Sequence, residues 1–196
     1  DGWVAVGAPL DDNTQGVDVG ATYLYGSDEG GFNQWGLIQK FVRGLGGHQF
    51  GFAVSICGPW LLVGAPNADV GPGPFGLAYL FERNQGGADT WGQVRVLTGT
   101  PSGAPRFGAA VAVDGQKALV GASNEDTSGG AVHVFGRDEG GWGNWGPVGR
   151  LRAEGMAAND YFGSSVAMDG NLAVVGMQGD DAQGEFSGTA RVLAWS

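Results

Sequence analysis

The chain repeats itself with a period of about 56 residues, and this repeat restricts its fold more than any other feature. Phe-Gly recurs at Phe50, Phe107 and Phe162, and each pair opens a similar string: FGFAVSI, FGAAVAV and FGSSVAM. A second block follows, as VAVGAP, LLVGAP, ALVGAS and AVVGMQ, and a third as GATYLY, GLAYLF, GAVHVF and GTARVL. The fourth block is led by tryptophan: WGLIQKF, WGQVRVL and WGPVGRL. A fixed period of this size indicates a repeat architecture.

Each block has the pattern of a β-strand, because apolar residues alternate with polar or small residues over five to seven positions. Asp114-Gly115 and Asp169-Gly170 separate the first block from the second, and Asp-Gly is a strong hairpin signal. Asp-Glu-Gly-Gly separates the third block from the fourth at 28–31 and 138–141. One repeat is therefore predicted to be a four-stranded antiparallel meander, and the fold class all-β, a β-propeller of such blades.

The 196 residues correspond to about 3.5 blades, with approximate bounds at 1–49, 50–106, 107–161 and 162–196. The first blade is expected to lack its first strand and the last blade its fourth strand, which leaves 14 strands. An open propeller presents unpaired strand edges. We therefore expect a segment of a seven- or eight-bladed ring, with closure by two chains as the alternative.

The first strand of each repeat is predicted to be a wedge between neighbouring sheets. In FGAAVAV one side presents Val111 and Val113, and the other side presents Ala110 and Ala112. Radially arranged sheets diverge towards the fourth strand, where large side chains are needed to fill the gap. The repeated tryptophans on that strand are accordingly predicted to be buried spacers: Trp35, Trp91 and Trp145.

Phe-Gly followed by Val-Gly-Ala-Pro resembles the FG-GAP repeats that build the propeller of integrin α subunits. The short Asp-Gly turn and the trailing W-x-x-x-x-x-L are similar to the FG-GAP subtype of bacterial, algal and other surface proteins. The resemblance covers essentially the whole chain. It implies a non-catalytic module, extracellular or at the cell surface, that serves adhesion, protein binding or assembly. It also implies that partners dock on the loops between second and third strands, at 11–19, 67–75, 123–128 and 178–187.

Integrin-type calcium loops, Asp-x-Asp-x-Asp-Gly between first and second strands, are absent from the sequence. A single carboxylate on a tight turn cannot supply the six to eight oxygens that Ca²⁺ needs. The acids lie instead in the loops between second and third strands, where a solvated face is expected. As alternatives, a Ca²⁺ site would use Asp11, Asn13, Asp18, Asp180 and Asp181. A surface for a basic protein partner would use Asp12, Asp69, Glu125, Asp126 and Glu185.

Several classes of function are disfavoured by the composition and the motifs. The net charge of −10 argues against a nucleic-acid partner, and no apolar run reaches the length that membrane insertion requires. Two G-x-G-x-x-G runs, at 71–76 and 141–146, lead into strands and are therefore not phosphate-binding loops. His48, His133 and Cys57 lack catalytic neighbours in the sequence, and His133 is predicted to pack within a blade. We expect no enzyme and no required cofactor.

Three alternatives to protein binding remain open from the sequence. A lectin-like propeller would bind carbohydrate between blades, and the tryptophans outside the repeated position are candidates for stacking on sugars: Trp3, Trp60 and Trp142. A structural subunit of an extracellular fibre would pair its edges with neighbouring subunits. An accessory propeller of an enzyme would have its catalytic domain outside this chain.

Overall fold

The computed structural model describes residues 2–69, 76–99 and 106–194, so part of the loop predicted at 67–75 and most of the glycine run at 71–76 lie outside the described residues. The strands run in the order β1 (Trp3–Ala8), β2 (Ala21–Gly26), β3 (Gly36–Phe41), β4 (Ala53–Cys57), β5 (Trp60–Ala65), β6 (Leu77–Arg83), β7 (Trp91–Leu97), β8 (Phe107–Val113), β9 (Lys117–Ala122), β10 (Ala131–Arg137), β11 (Trp145–Leu151), β12 (Phe162–Asp169), β13 (Leu172–Met177) and β14 (Thr189–Ala194). A short helical turn, α1 (Glu125–Ser128), lies between β9 and β10.

The strands form four antiparallel sheets, in the orders β1-β2-β3, β4-β5-β6-β7, β8-β9-β10-β11 and β12-β13-β14. Neighbours in each sheet are also neighbours in sequence, which is the meander of a propeller blade. The all-β prediction and the blade topology are confirmed; the described residues contain the 14 predicted strands, and the four sheets that they form do not close a ring. Each sheet lies within one of the predicted repeat units.

Asx side chains fix the hairpin turns that the sequence predicts. Asp114 Oδ1 accepts hydrogen bonds from the backbone N–H groups of Gln116 and Lys117, at 2.9 and 2.8 Å. This side chain therefore organises the β8–β9 turn through local bonds of the kind that favour Asp in turns. In the loops between third and fourth strands, an Asx oxygen accepts from the N–H five residues later, in the pairs Asp28–Asn33, Asn84–Asp89 and Asp138–Gly143.

The two repeated glycines meet where adjacent sheets touch. A Cβ added to Gly64 in β5 would lie 2.0 Å from the carbonyl oxygen of Gly108 in β8, far inside van der Waals contact. The second strand of each sheet, which carries Val-Gly-Ala-Pro, packs against the Phe-Gly segment of the following sheet. This contact explains why the two motifs recur together. The same contact recurs for the pairs Gly7–Gly51 and Gly121–Gly163, at 2.0 and 2.1 Å.

The described residues form three apolar core clusters, one between each pair of successive sheets. β8 contributes to two of them, as the wedge prediction requires: Val111 and Val113 pack in the cluster shared with the second sheet, and Ala112 packs in the cluster shared with the fourth. The Phe-Gly phenylalanines Phe50, Phe107 and Phe162 are fully buried.

The prediction for the repeated tryptophans is confirmed at two positions and wrong at the third. Trp91 packs edge-to-face on Trp3 of the first sheet, and Trp145 packs in the same way on Trp60 of the second sheet. Both rings are buried, whereas Trp35 is 54% exposed. The physical reason is that each such tryptophan packs on the preceding sheet, and no sheet precedes that of Trp35 in the part of the chain that is described.

Candidate functional site

The acidic loop of the first sheet is tied to the strands behind it. The hydroxyl of Tyr23 donates a hydrogen bond of 2.7 Å to Asp11 Oδ2, and Lys40 Nζ lies 3.0 Å from Asp11 Oδ1. The hydrogen bond from Tyr23 and then the contact with Lys40 lower the pKa of Asp11 below its usual value. This carboxylate is therefore engaged with a tyrosine on β2 and a lysine on β3.

The third sheet carries a related but more deeply buried cluster. Glu125 is fully buried, and its carboxylate lies 2.6 Å from His133 Nε2 and 2.7 Å from Arg150. Arg150 also binds Asp126, and this hydrogen bond is the main reason that the pKa of Asp126 is lowered. His133 is buried and packs edge-to-face on Phe107, which confirms its predicted packing role.

The prediction that Glu125 belongs to a partner-binding surface is wrong. The backbone of α1 is left-handed, with φ of +49° at Asp126, +59° at Thr127 and +64° at Ser128. Glu125 lies at the start of this turn, buried against β10. Its charge is compensated by Arg150, so it is not available to a partner at the surface.

The acids of the last sheet organise their own loop. Asp180 is 7% exposed, and it accepts hydrogen bonds from the N–H of Ala182 at 2.7 Å and from the hydroxyl of Thr189 at 2.9 Å. These bonds, the one from Ala182 first, lower the pKa of Asp180. Asp181 Oδ1 accepts from the N–H of Phe186 at 2.6 Å, which closes the loop between β13 and β14.

The residues predicted to hold Ca²⁺ fall in two separate sheets. Asp11, Asn13 and Asp18 lie in the loop between β1 and β2, and Asp180 and Asp181 lie in the loop between β13 and β14. Within the described ranges, no group of three or more His, Cys, Asp or Glu side chains is placed to hold a metal ion. A calcium site on these residues stays a prediction.

The loop between β1 and β2 forms one surface with the connector that leads to β4. The N–H of Gly47 donates to the carbonyl of Val17 at 2.9 Å, which holds the connector against the loop. We define the first loop surface as Leu10, Asp12, Val17, Asp18 and Leu45. Its three apolar side chains are 62–66% exposed, and Asp12 accepts a 2.9 Å bond from the N–H of Asp18. Neither aspartate forms an ion pair with another described residue.

The remaining residues of the predicted partner-binding set differ in their surroundings. Asp69 and Glu185 are exposed in the loops of the second and fourth sheets. Asp126 is in contact with both Arg150 and Arg152. The acids of this set are therefore distributed over the loops of all four sheets, and their local charge compensation differs from sheet to sheet.

Among the clefts that open between successive sheets, two lie beside the loops that join third and fourth strands. The first cleft, of about 410 Å³, is lined in part by Trp3, Glu29, Leu37, Arg83, Asp89 and Trp91. The second cleft, of about 490 Å³, is lined in part by Trp60, Glu82, Gln85, Gln93, Arg137 and Trp142.

The three tryptophans proposed for sugar stacking have different surroundings in these clefts. Arg83 lies 4.6 Å from the centre of the Trp3 ring and occupies one side of it. Trp60 is 3% exposed, covered by Trp145 and by Arg137, so its predicted role as a stacking platform is wrong. Trp142 is 95% exposed, and its ring is available to a ligand.

The arginines of the clefts are functional candidates that the sequence analysis missed. Arg83 and Arg137 close the third strands of the second and third sheets, at equivalent repeat positions. The sequence does contain a signal for them: an arginine follows LFE in one repeat and VFG in the next, at the same position of the repeat. Each guanidinium stacks on the tryptophan that opens a second strand of the preceding sheet.

The lowered carboxyl pKa values predict a loss of stability in acid. A carboxyl whose pKa is depressed on folding stabilises the fold above its unfolded pKa of about 3.9, and this contribution disappears as the pH falls through the folded pKa. For Asp11 and Asp126 we expect Tm to fall as the pH drops below about 4. Lys40→Met should weaken the dependence of stability on pH. The change in the free energy of unfolding should be less than about 1 kcal/mol, because the ion pair of Lys40 and Asp11 is near the surface. Thermal melts from pH 2 to 7 measure it, and identical profiles for both proteins would contradict the assignment to Asp11.

The topology of the sheets defines the class of protein: it is a β-propeller module built from antiparallel blades of three or four strands. The family model for the FG-GAP repeat matches the chain twice, at residues 91–135 and 145–193, so the chain contains FG-GAP repeats over these residues. No curated protein matches it. No helix among the described residues has the length and apolar character needed to cross a bilayer.

Proposed function

We propose that this chain is a non-catalytic, extracellular or cell-surface propeller module that binds a protein partner. The observation that carries the proposal is the first loop surface. Leu10, Val17 and Leu45 are exposed there beside two aspartates that have no cationic partner in the described structure. Exposed apolar groups with a charged rim are characteristic of protein-binding surfaces.

The charge of the surface indicates the kind of partner. The chain carries a net charge of −10, and Asp12 and Asp18 place two of its negative charges on the first loop surface. A partner with basic residues around an apolar contact would be attracted over a distance and oriented on approach. The loop of the third sheet differs, because Glu125 and Asp126 are already paired with arginines.

A second candidate function is assembly with further sheets. Val4 and Val6 on the first sheet are 43% and 47% exposed, while the equivalent Leu61 and Val63 are fully buried against the preceding sheet. On the last sheet, Val174 is 45% exposed, while the equivalent Leu62 is buried. Covering these two apolar faces requires additional sheets, from the same polypeptide or from another subunit.

Affinity capture with site-mapped cross-linking tests the proposal. The immobilised protein is incubated with surface proteins of its source organism, and cross-linked peptides are identified by mass spectrometry. We expect cross-links at 10–18 and 44–48, and a loss of capture of about tenfold or more in the Val17→Ser/Leu45→Ser variant. Phe32→Ser is the control, since Phe32 is 89% exposed on the loop between β2 and β3, at the opposite end of the same sheet. Equal capture by the double variant, or cross-links elsewhere, would overturn the proposal.

A further inference from the structure

The two clefts occupy equivalent positions in the repeat, so each serves as a reference for the other. Trp3 corresponds to Trp60, Arg83 to Arg137 and Trp91 to Trp145. The loops beside them share a hydrogen bond from backbone to side chain: the N–H of Asp89 donates to Asn84 Oδ1 in the first cleft, and the N–H of Gly143 donates to Asp138 Oδ1 in the second. Residue 143 in the second cleft is therefore structurally equivalent to residue 89 in the first.

The first cleft supplies its own carboxylate. Arg83 lies over the Trp3 ring, and its guanidinium forms an ion pair with Asp89. The cation is thus stacked on one side and neutralised on another by a residue of the same sheet. Nothing further is required to satisfy Arg83.

The second cleft retains the arginine but has no carboxylate at the position equivalent to Asp89; the Glu82 carboxylate that also lines this cleft accepts a hydrogen bond from Gln85. Arg137 lies 5.2 Å from the centre of the Trp60 ring, but Gly143 stands where the first cleft has Asp89. The guanidinium makes no hydrogen bond or ion pair within the described structure, and its Nε is buried without a partner. Buried polar groups are almost always satisfied, so an orphaned guanidinium nitrogen calls for an explanation.

A second difference between the two loops gives the second cleft an exposed aromatic ring. Trp142 stands where the first cleft has Ala88, and its ring is 95% exposed. Polar groups line the opposite wall, where Gln85 donates a 2.8 Å bond to Glu82, and Arg43 donates to the oxygen of Gln93. The second cleft thus combines an unpaired cation, an exposed flat ring and several hydrogen-bonding side chains.

We propose that the second cleft binds a sugar residue that carries a carboxylate. The carboxylate pairs with Arg137 in the position that Asp89 occupies in the first cleft, where an Arg–carboxylate pair has the favourable geometry of two charge-assisted bonds. The sugar ring stacks on Trp142, and its hydroxyls reach the side chains of Glu82 and Gln85. A volume of about 490 Å³ accommodates one or two sugar rings.

A carbohydrate fits these groups better than an acidic peptide does. A glutamate or aspartate side chain would satisfy Arg137 but would leave the flat Trp142 ring and the amides without matching groups. This site is also independent of the proposed protein binding, because the first loop surface lies at the opposite end of the blades.

Nuclear magnetic resonance titration with small uronides tests the site. The probes are the methyl glycosides of glucuronic, galacturonic and mannuronic acid, each compared with its neutral methyl hexoside. We expect at least one uronide to shift the indole N–H signal of Trp142, and to bind about tenfold more tightly than its neutral counterpart. Arg137→Gln should abolish the difference, and Arg83→Gln, in the self-paired first cleft, should leave it unchanged.

A second variant tests the site without removing the arginine. Gly143→Asp restores the acid of the first cleft, and Asp89 already adopts a similar positive φ in the sister loop. The introduced carboxylate should pair with Arg137 and abolish uronide binding while the Trp60 and Trp145 indole signals persist. Absence of binding by all three uronides, equal binding of charged and neutral sugars, or binding of an acidic peptide such as tetraglutamate in preference to the uronides would overturn the proposal.

Discussion

Replacement of Trp145 by alanine is expected to lower the free energy of unfolding by about 3–5 kcal/mol, whereas Trp35→Ala should lower it by less than about 1 kcal/mol. The two tryptophans occupy the same position of the repeat. Trp145 is 1% exposed and packs edge-to-face on Trp60 with ring centres 5.0 Å apart. Removing it opens a large cavity between two sheets, while Trp35 is more than half exposed and its removal leaves no comparable cavity.

Urea denaturation followed by far-ultraviolet circular dichroism measures both variants under identical conditions. Trp91→Ala is the additional reference, since Trp91 is buried against Trp3 and should behave like Trp145. A large destabilisation by Trp35→Ala would show that the outer face of the first sheet is covered in solution. That result would favour assembly with further sheets over an exposed face.

The order and bounds of the strands could be predicted from the sequence, because the information is local. Alternation of apolar residues defines each strand, and Asx-Gly turns define the hairpins through bonds within a few residues, as at Asp114. The wedge shape of β8 followed from Val111 and Ala112 in the same way. These features depend on neighbours within one repeat, and the repeat supplies several copies of the same signal.

The predictions that were wrong concern features that depend on contacts between repeats, or on a single position at which one repeat differs from the others. Trp35 carries the same local motif as Trp145, but burial is decided by the sheet packed against it. Glu125 has the composition of an exposed loop acid, yet His133 on the neighbouring strand and Arg150 on β11 bind it in the interior. Two sister strands have tyrosine where His133 stands, Tyr23 and Tyr79, and the contact of His133 with the buried Glu125 is visible only in the three-dimensional structure.

The candidate site was predictable only in outline. Trp142 was identified because it lies outside the repeated tryptophan position, and its exposure supports that choice. Trp60 satisfied the same criterion but is covered by Arg137 and Trp145. The distinction between the two clefts rests on whether residue 89 or its counterpart 143 carries a carboxylate, which becomes meaningful only once Arg83 and Arg137 are known to face these positions.

Gly64→Ala is expected to destabilise the protein by about 3 kcal/mol or more, at or above the upper end for overpacked sites. The added methyl group would lie 2.0 Å from the carbonyl oxygen of Gly108, and backbone at this position cannot move aside as a flexible side chain could. The φ of Gly64 is not in the left-handed region, so alanine is compatible with its own backbone. The loss would therefore report the contact between the second and third sheets.

Gly149→Ala provides the matched control for the clash at Gly64. Gly149 is also in a strand, β11, with no heavy atom within 4 Å of an added Cβ, and alanine there should change stability by no more than about 1 kcal/mol. Urea denaturation of the two variants separates steric exclusion between sheets from the general effect of removing a glycine. If Gly64→Ala were as stable as Gly149→Ala, the sheets could separate at this point at little cost, and the paired glycines would not be what sets their close approach.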